Sequence, residues 1–527
     1  MTPRRLTLWA ALIGVASAIV TMTVAELAAQ FVSAASSPLF AVGAFVIDIV
    51  PPWVKETAIA LFGTGDKVAL LVGLGLLVAI LAVAIGVLEY WRRPWGVVGL
   101  VIVGVIASTA AATRAGATLN WALPTAFGVV AGAFVLRVAT DRLHGWAAAS
   151  AKSSASDNTA AVQTRTDAAT AVSRRGFLNV LGISAAAAVV ATVVAQGMRA
   201  ASSAANVVRE AITFPKPAVA APPIPAGAEL NIDGLAPVIS GNGTFYRIDT
   251  ALQVPLIDAE TWKLKVTGMV GNEFELTYRE LLDLPLIETV ATLACVSNEV
   301  GGDLIGNAVW LGYPIRDLLT MAAPKSAADM VLSRSVDGFT AGTPIEALRD
   351  KNRDAILAVA MNGEALPLAH GFPVRMVVPG LYGYVSATKW LSEMKVTRFE
   401  DDFGYWTPRG WSELGPVKTS SRIDTPRNNR SIPPGTTAIA GMAWAQHTGI
   451  AGVEVRIDGG PWAEARLADA ISIDTWLQWV YEWDATAGDH TIEVRATDKS
   501  GFTQSETPVR VDPNGAEGWH TITVNVA

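Results

Sequence analysis

The chain has 527 residues, more than one ordinary domain holds, so two or three folded units are expected. A formal net charge of -7, with no basic stripe interleaved with aromatics, excludes nucleic acid as a partner, because that role needs clustered cations to displace counterions. Cys295 is the single cysteine, so no intramolecular disulfide can form.

Up to about Met198 the sequence is dominated by Ala, Val, Leu, Ile and Gly. Crossing a bilayer takes roughly 20 helical apolar residues. Four runs qualify: Leu6 to Ala25, Val68 to Leu88, Gly96 to Thr113, and about Thr118 to Leu136, the last interrupted by Pro124. Pro38 to Phe62 is apolar too, but Asp48, Pro51, Pro52, Lys55 and Glu56 break it. Backbone groups in lipid need internal partners, so this stretch is expected to be interfacial or re-entrant. Residues 1–145 therefore predict an α-helical transmembrane bundle of four helices. Residues 146–172, rich in Ala, Ser, Thr and Asp, predict a cytoplasmic linker.

Residues 173–200 open on Ser173-Arg174-Arg175-Gly176-Phe177-Leu178 and continue as a moderately apolar run to Met198. This resembles a twin-arginine export signal retained as a fifth membrane helix. Arg4, Arg5, Arg92, Arg93, Arg137, Arg142, Lys152, Arg165, Arg174 and Arg175 occupy alternate loops, while the opposite loops hold a mixture of signs. The positive-inside rule puts the N-terminus in the cytoplasm, and five crossings put everything after about Ala200 outside. The expected location is thus the cytoplasmic (inner) membrane, multi-pass, with the C-terminal half on the extracytoplasmic side. None of the five runs contains a histidine and Cys-x-x-Cys-His is absent, so no haem is expected.

Residues 201–228 carry several prolines and read as an extended linker. Beyond them, residues 229–405 alternate short strands with helices. Trp262 to Gly268 has period two, Thr277 to Leu284 reads as a capped helix, Tyr313 to Ala322 as a second helix, and Phe372 to Pro379 as a strand ending in a turn. This pattern is α+β. Residues 416–527 are all-β, with alternating segments at Gly441 to Trp444, Val453 to Trp462 and Thr491 to Ala496 separated by Gly, Asp and Pro, as in a β-sandwich.

Several local sequences follow one another in a fixed order: Phe245-Tyr-Arg-Ile-Asp249, Trp262 to Gly268, Thr292-Leu-Ala-Cys-Val-Ser-Asn298, Trp310 to Leu319, Met361 to Gly380, and Lys389-Trp390-Leu391. This order resembles the molybdopterin-binding domain of the sulfite oxidase family, and residues 416–527 resemble the immunoglobulin-like domain that follows it there. The resemblance implies a molybdenum-molybdopterin cofactor, with Cys295 as the metal's thiolate ligand. Soft sulfur is the donor such a metal takes from a protein. It also implies that Arg247 positions an oxyanion substrate, and that Asn298, His370, Arg375 and Lys389 contact the cofactor. Tyr382 and Tyr384 fall near the family's active-site tyrosine, and Tyr405 to Trp411 could cover the cofactor mouth.

One departure bears on the substrate. Val-Ser replaces Ala-Gly between Cys295 and Asn298, and Glu299 follows where sulfite oxidases have basic residues, which disfavours a dianion beside the site. The expected function is oxo transfer to or from a small sulfur or nitrogen compound, with sulfite oxidation and sulfoxide or N-oxide reduction both open. The expected partners are the membrane and an external redox partner, either a quinol-linked protein or a cytochrome, with homodimerisation through the β-sandwich. The competing expectation is a membrane-tethered binding or structural protein that retains the fold.

Overall fold

The computed structural model describes residues 2–32, 36–51, 54, 57, 61, 62, 66–114, 117–155, 182, 186, 209, 212–251 and 254–527. The twin-arginine-like motif and most of the fifth apolar run lie outside them. Two compact units result, one of residues 1–204 with 251–253, the other of residues 205–250 with 254–527.

The first unit is helical: α1 Pro3–Val32, α2 Pro38–Ile49, α3 Asp66–Trp91, α4 Trp95–Ala112 and α5 Leu123–Ala155. Four of these contain stretches long and apolar enough to cross a membrane, at Pro3–Ala29, Val68–Trp91, Trp95–Ala112 and Leu119–Ala151. At 12 residues, α2 reaches only about 18 Å, short of a hydrocarbon core. Leu76, Ile80, Ile102, Val105, Val130 and Phe134 are exposed on these helices, a set of large apolar side chains that suits lipid. The inner contacts depend on small residues. A Cβ on Gly14 would lie 1.9 Å from the Ala82 carbonyl oxygen, and one on Gly86 2.2 Å from that of Ala10, so α1 and α3 touch backbone to backbone. Glu89, 0% exposed, accepts the Val97 N–H at 3.0 Å and sits 3.4 Å from Arg137 and 3.9 Å from Arg93.

The fourth span departs from expectation at both ends. Pro124 opens α5 instead of breaking it, because a first-turn residue has no intrahelical acceptor for the N–H that proline lacks. The helix then continues to Ala155, so the first ten residues of the expected linker 146–172 are helical. Their Ala-rich sequence makes that continuation inexpensive.

In the second unit, residues 229–405 build two sheets. One runs in the order Phe274–Thr277, Lys263–Gly268, Leu391–Thr397, Met330–Ser335, Thr340–Pro344. The other runs Ile287–Ala294, Ile305–Pro314, Ile356–Met361, Glu364–Ala365, with Arg375–Val377 added beside Ile356–Met361. Period two in Lys263–Gly268 turns Leu264 and Val266 inward, and both are fully buried. Thr277 caps the helix Tyr278–Leu282 in a reciprocal box with Glu280.

Residues 420–527 form two further sheets. One contains Ser420–Thr425, Gly435–Trp444, Leu477–Ala485 and Arg466–Leu467. The other contains Arg430–Ile432, His520–Val526, Gly488–Asp498, Ile450–Ile457 and Ala463–Glu464. Ile439, Trp479, Ile492 and Val494 share the core between them, which makes this the expected immunoglobulin-like β-sandwich.

The seam between the α+β domain and the sandwich is a core of its own. Ala294 and Val296, on either side of Cys295, pack there with Met442, Trp444 and Trp476. The Trp476 N–H donates to Thr292 Oγ1 at 2.8 Å, and the Thr292 N–H to the Asp474 carbonyl at 3.0 Å. His447 bridges the seam, with Nδ1 3.0 Å from Asp474 and Nε2 3.2 Å from Asp350. Hydrogen bonding to Asp474, with a smaller contribution from Asp350, raises the imidazole above its ordinary 6.5. A folded pKa above the unfolded one means that the bridge stabilises fully below about pH 6.5 and is lost as pH rises through the folded value. His447→Gln should therefore cost about 0.5–1 kcal/mol near pH 6 and less at pH 8.5. Urea titrations of both proteins at the two pH values check this, and a cost independent of pH would contradict it.

Candidate functional site

A cavity of about 140 Å³ opens within the second unit, and Cys295 lies on its wall. Cys295 follows directly on the strand Ile287–Ala294, so the sheet fixes its position. Its N–H donates to the Leu304 carbonyl at 2.9 Å, and Sγ accepts the Ser297 N–H at 3.4 Å. Burial holds the thiol above its usual range, with the Ser297 hydrogen bonds and Lys389 acting the other way.

The turn that displays Cys295 is shaped by Asn298. The Asn298 N–H donates to the Cys295 carbonyl at 3.1 Å, and its Oδ1 accepts the Leu304 N–H at 2.8 Å. Gly301 adopts φ +77°, and a Cβ there would lie 2.3 Å from the His520 ring of the β-sandwich, so both conformation and space require glycine. Arg422 of the sandwich donates to the Gly302 carbonyl at 2.9 Å. Asn298 is thus placed behind the cysteine turn and lines a separate, much smaller space with Glu299 and Tyr382. The structure does not bring Asn298 to the main cavity. Glu299 is not on that wall either, so the acidic character inferred from it does not apply there.

Two buried cations do reach the wall. Arg375, 3% exposed, donates to the carbonyls of Met376 at 3.3 Å and His370 at 3.1 Å, with its guanidinium 5.2 Å from the Trp310 ring centre. No carboxylate pairs with it among the described residues, and burial pushes its pKa down to about 10. Lys389, 9% exposed, donates to Asp249 at 3.1 Å and to the Ala369 carbonyl at 3.0 Å; burial outweighs Asp249 and lowers it to about 8. His370, 5% exposed, sits beside Arg375 with Nε2 3.2 Å from the Asn242 carbonyl. That contact makes Nε2 the donor, leaving Nδ1 a buried acceptor with no partner among the described residues. Burial, then Arg375 and Lys389, drive the ring down to about 3, so it is neutral at ordinary pH.

Arg247 is not on the wall. Its side chain is 41% exposed and is held by Asp249 at 2.9 Å, so Asp249 connects it to Lys389 at the rim. The wall includes Tyr246 and Asp249, which the sequence reading did not single out although both stand in its first quoted block. Burial, with the neighbouring Cys295 thiol, holds the Tyr246 phenol well above its usual range, so it keeps its proton. Asp337 and Phe339, from the turn between the strands Met330–Ser335 and Thr340–Pro344, also line the cavity and had no local signal in the sequence.

Aromatic rings complete the enclosure. Trp406 and Trp411 both line it, as expected of a segment covering the mouth, and stand 6.0 Å apart. Tyr384 lies 6.0 Å from Trp411 and donates its hydroxyl to the Ser412 carbonyl at 2.7 Å. Tyr382 is turned away, its hydroxyl accepting the Lys418 N–H at 3.4 Å.

This wall fits an anionic cofactor with a soft metal. A buried guanidinium without a carboxylate is costly unless an anion meets it, and a buried unpaired nitrogen costs about 1–3 kcal/mol. Arg375 is such a group on the wall and His370 Nδ1, just off it, is another; the Cys295 thiol on the same wall as Arg375 is a soft donor.

Comparison with known proteins agrees with this chemistry. Residues 251–406 match the oxidoreductase molybdopterin binding domain, and residues 420–494 the bacterial Ig domain. Human mitochondrial sulfite oxidase is 27% identical over 327 residues, 52% of this chain and 60% of that protein. Arabidopsis thaliana sulfite oxidase is 28% identical over 312 residues, covering 48% and 79%. Spinacia oleracea NADH nitrate reductase is 33% identical over 178 residues, covering 29% and 19%. The chain thus spans about 60% of the length of the human protein it matches.

Proposed function

From a chain that belongs, through its molybdopterin-binding domain, to the sulfite oxidase-type oxidoreductases, we propose a membrane-anchored enzyme that transfers an oxygen atom to or from a small sulfur or nitrogen compound on the outer face of the cytoplasmic membrane. The observation that carries this reading is the meeting at one cavity of Cys295 with Lys389 and with Arg375, which has no carboxylate partner among the described residues; His370 does not line that cavity but is tied to Arg375 through its carbonyl. When bound, the molybdenum cofactor supplies two-electron redox chemistry coupled to oxygen-atom transfer.

The chain's own residues do the rest. Cys295 would hold the metal as thiolate, Arg375 and Lys389 would offset the cofactor's negative charge, and His370 would offer Nδ1 as an acceptor. Tyr246 presents a protonated phenol beside the thiol and can give a hydrogen bond to an oxygen held there. Trp406 and Trp411 limit water at the mouth. Arg247, shared with Lys389 through Asp249, acts on arriving substrate from the rim. The electrons are exchanged with an external quinol-linked protein or cytochrome.

Reduction of an S- or N-oxide is the direction the wall's charges favour. Its cations are Arg375 and Lys389, both committed in this reading, and its carboxylates are Asp249 and Asp337. A dianion meets no uncommitted cation there. The relatives named as sulfite oxidases support the opposite direction. Steady-state assays on cofactor-loaded protein decide, comparing sulfite and an artificial acceptor with sulfoxides and N-oxides and an artificial donor. Sulfite kcat/KM in the range of about 10⁴–10⁸ M⁻¹s⁻¹, with negligible oxide turnover, would overturn the reductase direction.

The location has its own test. Changing Arg174 and Arg175 together to Lys should leave the catalytic half inside the cell. Protease treatment of spheroplasts reads this directly, and unchanged digestion would rule out the export signal.

A further inference from the structure

The proposed reaction leaves one charged group of the cavity without a task. Asp337 lines the wall, held by the Phe339 N–H at 3.3 Å and the Thr250 hydroxyl at 3.4 Å. No basic side chain pairs with it among the described residues. The other carboxylate of the wall, Asp249, is satisfied by Lys389 and Arg247. Asp337 is thus the wall's uncompensated negative charge, and the same wall carries several aromatic rings. Phe339 is two residues away, and Tyr384, Trp406 and Trp411 line the same cavity. The segment bearing the two tryptophans is tied to the strand that follows Asp337, through the Tyr405 N–H to the Thr340 carbonyl at 2.9 Å and through Phe339 against Tyr405 at 5.9 Å.

A carboxylate that shares a cavity wall with aromatic rings is a chemical address. Ring faces attract a cation through their quadrupole, and they do so best for alkylated ammonium or sulfonium groups, which give up little hydration. Inorganic dianions are repelled by the same carboxylate, and neutral apolar molecules gain nothing from it. We propose that the mouth of the cavity is a subsite for an organic cation, so that the substrate carries an alkylated ammonium or similar positive group at a distance from its reacting sulfur or nitrogen. This rests on the oxo-transfer reading for its use in turnover, but binding of the cation itself does not.

The test separates the two. Choline and its uncharged carbon isostere, 3,3-dimethylbutanol, are titrated calorimetrically into full-length, cofactor-loaded protein. The subsite predicts that choline binds about tenfold more tightly, that Asp337→Asn abolishes most of this preference, and that Asp337→Glu restores it. Equal affinities in the unmodified protein overturn the proposal whether or not the variants fold. A preference that survives Asp337→Asn overturns it too, because the cation is then held elsewhere. In parallel, a methyl sulfoxide bearing a trimethylammonium group is compared as substrate with its tert-butyl isostere, and kcat/KM should favour the cation by a similar factor. Turnover of both without preference removes the subsite and leaves the reductase reading standing. A choline preference lost in Asp337→Asn, with neither sulfoxide turned over, keeps the subsite and removes that reading.

Discussion

Cys295→Ser should yield a folded, membrane-inserted protein whose turnover is lower by on the order of a hundredfold or more. Loss of a partner behind a metal ligand typically costs 10–100-fold, and loss of the ligand's own sulfur should cost at least as much. The substitution is nearly isosteric, and the turn does not depend on sulfur. It is closed by backbone bonds from Cys295 to Leu304 and from Asn298 to Cys295, and by the Asn298 side chain. The turn should therefore survive while the donor changes from a soft thiolate to a hard hydroxyl. Molybdenum content, circular dichroism and sulfur X-ray absorption on the same preparation distinguish a lost ligand from a lost fold. Near-normal turnover would remove Cys295 from metal ligation.

Arg375→Met carries the second large effect, and its sign should depend on the cofactor. In cofactor-free protein the guanidinium is buried with only two carbonyl acceptors, and a side chain of similar length without charge is easier to bury. The apo variant should melt at the same temperature as the apo parent or higher. In loaded protein the same change removes the cation that faces the cofactor's anionic groups. Breaking a buried charge pair costs about 2–5 kcal/mol, roughly 30-fold to several thousandfold in affinity. Molybdenum per chain after gel filtration should fall accordingly. A variant that loses stability in both states, or retains full molybdenum, would make Arg375 a packing residue.

How much of this could be read in advance follows the range of the interactions involved. The apolar spans, the capped helix at Thr277 and the period-two strand at Lys263–Gly268 depend on neighbours in sequence, and they were legible. Cys295, Arg375 and Lys389 were legible through a family resemblance, and they do meet at one cavity. Asp337 and Phe339 were not: Asp337-Gly338 marks a hairpin turn, but nothing local tells that the pairing of Met330–Ser335 with Thr340–Pro344 brings that turn to the wall. Asn298 was assigned through the family pattern and Glu299 by its place after it; sequence alone does not show that both line a smaller space apart from the main cavity. Arg247 and Tyr246 differ by one position, yet the tyrosine lines the wall and the arginine does not, and no periodicity in this irregular segment separates them, since Phe245, Tyr246, Ile248, Asp249 and Thr250 all line it.

A chain with a single thiol carries its own gauge of assembly. If Cys295 is the metal's ligand, each loaded molecule offers no sulfhydryl and each empty one offers one, with no background from any other position. Alkylation of the folded protein with a small mass-tagged reagent, with and without prior removal of the metal, then counts loaded and empty molecules in one spectrum. The count applies to crude membranes as readily as to purified samples. The fraction of molecules without cofactor, ordinarily hidden inside a bulk activity value, becomes a number for each culture.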